Sequence, residues 1–100
     1  MFTLLTTLTD GEQVHEPIAP RATLLDVRSF EEFAYQRIRG AIHIPLKELS
    51  ARTSELGAKD NPVLVYCRSG ARSRKAAMLL RIAGFTHVQD LGGLLGWAKH

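Results

Sequence analysis

Residues 63 to 84 read Val63-Leu64-Val65-Tyr66-Cys67-Arg68-Ser69-Gly70-Ala71-Arg72-Ser73-Arg74-Lys75-Ala76-Ala77-Met78-Leu79-Leu80-Arg81-Ile82-Ala83-Gly84. The apolar run Val63 to Tyr66, rich in β-branched and aromatic side chains, predicts a short strand buried on both faces. Beyond it the period changes: Ala76, Leu79, Leu80 and Ala83 stand at i, i+3, i+4 and i+7, which predicts an amphipathic helix. Gly84 sits where a left-handed residue would end that helix and let Phe85 pack back on Leu80. The chain's single cysteine is thereby placed at the carboxyl end of a buried strand, in a short loop that opens onto a helix N-terminus.

That position suits an anion. The first turn of a helix leaves N–H groups without partners, and the aligned peptide dipoles favour negative charge in front of them. Gly70 lets the loop curl, and Arg68 and Arg72 add positive charge. A free thiol titrates near ~8.5, and such surroundings bring it to about 3.5–7.5. Cys67 is therefore expected to be ionised at neutral pH, rather than an inert core thiol. From Asn61 to Gln89 there are five Lys or Arg and no Asp or Glu, against eight basic and ten acidic residues elsewhere. The basicity of the chain, +3 overall, is concentrated around the cysteine.

These residues resemble the rhodanese family of sulfurtransferases. The likeness runs from Leu24 to about Trp97 and rests on three anchors. They are Leu25-Asp26-Val27-Arg28 with Glu32-Phe33, the run Gly40-Ala41-Ile42-His43-Ile44-Pro45, and the Cys67 loop; Gly92-Gly93 and Trp97 complete it. The run Gln36-Arg37-Ile38-Arg39 departs from the Gly-His-Ile that usually precedes the Gly-Ala of the family. The resemblance implies a small rhodanese-like α/β domain with a central parallel sheet of about five short strands and helices on both faces. It also implies transfer of sulfane sulfur from thiosulfate or a persulfide donor to cyanide or a thiol through a Cys67 persulfide. Ser69, Gly70, Ala71 and Ser73 would line the loop with Arg68 and Arg72, without cofactor or metal. The same fold serves phosphatases and arsenate reductases, whose loop from Cys to Arg is one residue longer. Here Arg72 closes a six-residue loop and Ser73 occupies the phosphatase arginine position, so the count favours sulfur.

In chain order, residues 1–100 are expected to form one domain. Met1 to Leu8 lacks the basic start of a signal peptide, is broken by threonines, and reads as an edge strand. Glu12 to Glu16 reads as a short helix. Strands are expected at Thr23 to Val27, Ala41 to Ile44 and Val88 to Leu91, in addition to Val63 to Tyr66. Ser29-Phe30-Glu31-Glu32 is a capping box opening a helix from Phe30 to about Arg37. Further helices are expected from Pro45 to about Arg52 and from Leu94 to Lys99, with a polar loop from Leu56 to Pro62 and a turn at Gly92-Gly93. Alternating strands and helices imply a parallel sheet, with ligands at the carboxyl ends of its strands. Asp26 and Arg28 lie at that edge too and read as a supporting ion pair.

One cysteine permits no internal disulfide, disfavours zinc, and fits a reducing cytoplasm. No run is long enough to cross a membrane. Aromatic residues are not interleaved with the arginines, which argues against nucleic acid. His15, His43, His87 and His100 read as structural or surface residues, because a loop-stabilised thiolate needs no general base. The expected partners are a small-molecule sulfur donor and a thiol or cyanide acceptor, including a protein thiol, with the domain acting as a monomer. A module that docks a partner, with Cys67 carrying sulfur or sensing oxidants, is the alternative.

Overall fold

The computed structural model describes residues 22–94. Four strands, β1 (Thr23–Asp26), β2 (Ile42–His43), β3 (Val63–Cys67) and β4 (Val88–Gly93), form one wholly parallel sheet in the order β2-β1-β3-β4. The expected sheet of about five strands thus has four among the described residues. The remaining expected strand, Met1 to Leu8, lies outside them, as do the helix expected over 12–16 and all but Leu94 of the one carrying Trp97. All five residues of β3 are buried, as its unbroken apolar run requires of a strand covered on both faces.

Side chains alternate across the sheet and feed two cores. Leu25, Val27, Val63, Val65 and Cys67 pack with Leu49, Leu56, Ala76, Ala77, Leu80 and Phe85. Leu24, Leu64 and Tyr66 pack on the opposite face with Ile38 and Leu94. The period-two alternation of β1 and β3 decides which residue joins which core.

Helix α1 (Phe30–Tyr35) starts at the expected capping box: the Glu32 N–H donates to Ser29 Oγ (3.2 Å) and the Ser29 N–H donates to Glu32 Oε1 (2.8 Å). It ends two residues before Arg37, because Gln36 is extended and Ile38 dives into the second core, fully buried. The helix expected from Pro45 to Arg52 is a 3₁₀ turn (Leu46–Glu48) followed by α2 (Leu49–Arg52). A second 3₁₀ turn (Thr53–Leu56) replaces the start of the expected polar loop. Burial of Leu56 in the first core draws that turn inward.

Helix α3 (Ala71–Ile82) ends as the glycine predicts: the Phe85 N–H donates to the Leu80 carbonyl and the Gly84 N–H to the Arg81 carbonyl, each at 3.0 Å. Gly92 and Gly93, expected as a turn, instead extend β4. A bulge lets Gly92 and Gly93 pair with Tyr66 and Cys67, alongside the catalytic-loop candidate.

Candidate active site

Parallel pairing brings the carboxyl ends of β1, β3 and β4 to one edge, where Asp26, Cys67 and Gly93 end their strands. Past Cys67 the chain turns through Arg68, Ser69 and Gly70 into the first turn of α3. Gly70 has φ +108°, a left-handed conformation that a side chain would strain. This turn aims N–H groups back at the cysteine: Gly70 donates to Sγ at 2.9 Å and Ser73 at 3.3 Å. Because α3 has no side-chain cap from Gly70, the sulfur itself accepts from the helix's third residue. Thiol chemistry and helix capping are served by one atom.

Burial alone would push the Cys67 thiol up. Hydrogen bonds from the Ser73 hydroxyl and from the backbone N–H groups of Ser73, Gly70 and Ser69 outweigh it, and the thiol lies below its ordinary value. The thiolate expected from sequence is thus favoured, chiefly by aimed N–H and O–H groups. Cys67 is fully buried, whereas Arg68 and Ser69 are exposed at the mouth of the loop.

The arginines separate. Arg68 stands in solvent. Arg72 turns to Glu32 and makes a bidentate pair, Nη1 to Oε1 at 2.7 Å and Nη2 to Oε2 at 3.0 Å. Arg72 holds the Glu32 carboxyl down at about 2, against the cost of partial burial and with help from the Ser29 N–H. Sequence reading gave Glu32 the capping role and a place in the first anchor of the resemblance but not this pair, since its partner lies forty residues away. It does both.

Asp90 is a second acidic residue brought to the loop by tertiary structure. Its Oδ1 accepts from Ser73 Oγ at 2.6 Å and from the Gly92 N–H at 2.8 Å. It lies one residue beyond the acid-free segment that runs to Gln89, so counting charge along the chain passed over it. Gly93 is the other contact not foreseen: a Cβ there would stand 2.6 Å from the Arg68 carbonyl oxygen and 2.7 Å from Ser69 Cα. Only glycine lets β4 approach the loop so closely.

Asp26 and Arg28 form the expected ion pair, fully and almost fully buried. Arg28 donates from its backbone N–H and guanidinium to the Asp26 carboxylate at 2.8–3.1 Å, and Tyr66 Oη donates to Asp26 Oδ2 at 2.6 Å. Burial, then the neighbouring Asp26 charge, pushes the Tyr66 phenol far up, so it stays a donor. Arg28 also bonds the Gln36 carbonyl, and Tyr66 Oη accepts from the Ile38 N–H at 3.4 Å. The network ties β1 and β3 to the segment where the sequence departs from the family pattern. It is a brace, with every buried charge satisfied by a partner.

His43 Nε2 lies 2.7 Å from the Arg28 carbonyl and its ring stacks on Phe33, centroids 4.4 Å apart; His87 is exposed beside Thr86. Both are structural or surface groups, as expected, and His15 and His100 lie outside the described residues. Among the described residues no His, Cys, Asp and Glu cluster suited to a metal occurs, and no helix is long and apolar enough to cross a membrane.

Comparison with known proteins agrees with this geometry. A family model described as "Rhodanese-like domain" matches residues 10–100. A sulfurtransferase of Allochromatium vinosum is 37% identical over 94 residues, covering 91% of this chain and 87% of its own. Thiosulfate sulfurtransferase PspE of Escherichia coli is 38% identical over 79 residues, covering 78% and 76%. The solved rhodanese-like domain of the Alr3790 protein from Anabaena superposes with a TM-score of 0.74 at 36% identity, over 82% of this chain and 84% of that one. With a cysteine loop at the carboxyl edge of a parallel sheet and relatives covering most of its length, the chain belongs to the rhodanese-like domain family.

Proposed function

We propose that this domain is a thiosulfate sulfurtransferase working by double displacement through Cys67. The observation that carries the reading is the Gly70 and Ser73 N–H groups aimed at Sγ inside a six-residue loop closed by Arg72. The names of the Allochromatium vinosum and Escherichia coli relatives support sulfur transfer.

In the first half-reaction the Cys67 thiolate attacks the outer sulfur of thiosulfate or of a persulfide. The sulfur–sulfur bond of the donor breaks, and sulfite or a thiolate leaves with the electron pair. The Cys67 persulfide anion then lies against the N–H groups of the loop from Ser69 to Ser73, fixed in place before charge arrives. Arg68, exposed at the mouth, attracts the incoming dianion. Arg72, braced by Glu32, closes the loop, and the Asp26–Arg28 pair supports β1 beneath it.

In the second half-reaction cyanide or a thiol attacks the outer sulfur and restores the Cys67 thiolate. The sequence holds no second cysteine to resolve the persulfide, so the acceptor is another molecule. The six-residue loop leaves less room than the longer phosphatase loop would for a tetrahedral phosphate.

Intact mass after incubation with thiosulfate, together with thiocyanate formation on adding cyanide, tests the reading. A single sulfur adduct on Cys67 that cyanide discharges is the expected result. A protein that neither gains the adduct nor forms thiocyanate overturns it.

A further inference from the structure

Helix α3 turns one side to the sheet and leaves another bare. Ser73, Ala76, Ala77 and Leu80 are its buried residues, whereas Ala71, Lys75, Met78 and Ile82 are exposed. The latter four stand at i, i+4, i+7 and i+11, so they fall in one stripe along the outer side of the helix. At the helical rise, a stripe of that span is about 16 Å long. Met78 is 54% exposed and Ile82 80%. Apolar side chains exposed singly are ordinary. These two stand a turn apart, and neither packs into a core. Helix stability does not call for them either, since a β-branched residue such as Ile82 is a poorer helix former than the Lys, Arg or Glu that an exposed position accepts.

The border of the stripe is the second observation. Arg74 and Arg81, seven residues apart and both exposed, line one flank, Lys75 stands within it, and Arg68 is exposed three residues before it. Among the described residues none of these four has a carboxylate within ion-pair distance. Arg81 donates to the Val88 carbonyl, which leaves its charge uncompensated. The acid-free segment from Asn61 to Gln89 thus shows its charge on this face, around an apolar centre.

Position is the third. Ala71 is the first residue of α3, and the exposed Arg68 and Ser69 precede it at the mouth of the cysteine loop. The stripe therefore begins at the site.

From these observations we propose that the outer face of α3 is a docking surface for an acidic protein that presents carboxylates around an apolar centre. The apolar centre would cover Met78 and Ile82, and the carboxylates would pair with Arg68, Arg74, Lys75 and Arg81. Charge chooses this occupant. A second copy of the chain would set four cations against four cations. A nucleic acid would lay its charged backbone on Met78 and Ile82, with no aromatic residue in the stripe to stack on its bases. An anionic membrane takes up a helix by a broad apolar face, and the broad apolar side of α3 is already buried in the first core. A ridge of three turns suits a groove or a helix of the partner, in a contact of transient size. Because the ridge starts at the loop mouth, a docked partner covers the entry to Cys67. Docking and reaction with thiosulfate then exclude one another; that consequence rests on the sulfur-transfer reading above, and the docking itself does not.

The test uses the full chain and, as probe, a synthetic cysteine-free helical peptide with leucines along one side and glutamates flanking them. A scrambled peptide of the same composition and charge is the control. In a titration followed by the amide NMR signals of the isotope-labelled chain, the probe should shift residues 68–82 and bind at least tenfold more tightly than the scrambled peptide. The double variant Met78→Glu, Ile82→Glu should keep its fold and its basal turnover of thiosulfate with cyanide, and should bind the probe at least tenfold more weakly. Arg74→Glu, Arg81→Glu should weaken binding as much, and in the wild type binding should weaken as salt is raised. Bound probe should raise KM for thiosulfate and leave kcat unchanged. A probe that binds no better than the scrambled peptide, or binds both double variants as tightly as the wild type, overturns the proposal. So does a wild type that dimerises, or that binds phosphatidylserine vesicles, through Met78 and Ile82. An unchanged KM at saturating probe overturns the placement at the loop mouth. Absence of turnover in the unbound protein overturns the sulfur-transfer reading instead, and the binding measurements still decide the docking.

Discussion

Glu32 and Arg72 are forty residues apart in sequence and joined by two hydrogen bonds of 2.7 and 3.0 Å, while the same Glu32 carboxylate caps α1 through the Ser29 N–H. One side chain thus couples the start of the first helix to the residue that closes the cysteine loop. Arg72 is therefore held before any donor arrives, and the freely disposed cation at the loop is Arg68.

Glu32→Gln should keep the capping geometry and lose the charge pair. Arg72 is about one-third exposed, which places the expected loss near 1 kcal/mol at pH 7, or several degrees in melting temperature. Its pH dependence follows from the lowered carboxyl. The stabilisation is full above the unfolded value of about 4.5 and is lost as pH falls toward about 2. Thermal melts of wild type and variant should therefore converge over that window. Melting curves equally separated at pH 7 and near pH 2 would show that the pair does not hold the loop.

Cys67→Ser should fold and lose transfer, because the hydroxyl is not ionised at neutral pH. Thiocyanate production should disappear and no sulfur adduct should form. Turnover near that of the wild type would remove Cys67 from the mechanism.

The two arginines should differ in kind. Arg68→Ala should mainly raise KM for thiosulfate, with an effect that shrinks in high salt, as expected for attraction of a dianion at an exposed site. Arg72→Ala should lower melting temperature as well, by releasing Glu32, and move thiol alkylation to higher pH. A tenfold change in kcat/KM corresponds to about 1.4 kcal/mol, near the lower end of a charge-assisted hydrogen bond. Matching kinetics for wild type and both variants at low salt would exclude a role for the positive field.

Ser73 offers one hydroxyl proton, and Asp90 at 2.6 Å competes with the sulfur for it. Ser73→Ala should raise the pH midpoint of alkylation by iodoacetamide, and Asp90→Ala should lower it by freeing the proton for Sγ. The two shifts are expected to be opposite in sign. Because the sulfur is covered, absolute rates also report access, so the midpoint is the quantity to compare. Shifts of the same sign would show that the two residues do not compete.

Gly93→Ala should displace the loop, since the new Cβ would overlap the Arg68 and Ser69 backbone. Overpacking of this kind costs about 1–3 kcal/mol, and transfer should fall by more than tenfold as the N–H groups move off the sulfur. An alanine variant with wild-type activity would show that β4 does not set the loop's shape.

The local rules written into the chain were sufficient for much of this protein. The apolar run Val63 to Tyr66 determined a buried strand, Ser29 and Glu32 a helix start, Gly84 a helix end, and Cys67 to Arg72 a loop at a helix N-terminus. Each depends on residues within a turn or two of one another, where backbone geometry and period act directly. Tertiary structure decided what those residues meet. Parallel pairing of β3 with β4 set Gly93 against Ser69 and carried Asp90 to Ser73; the placement of the first turn of α1 near the start of α3 gave Glu32 to Arg72; burial of Ile38 ended α1 early. These contacts join segments seventeen to forty residues apart. Their partners are chosen by packing and strand register, which no local spacing encodes.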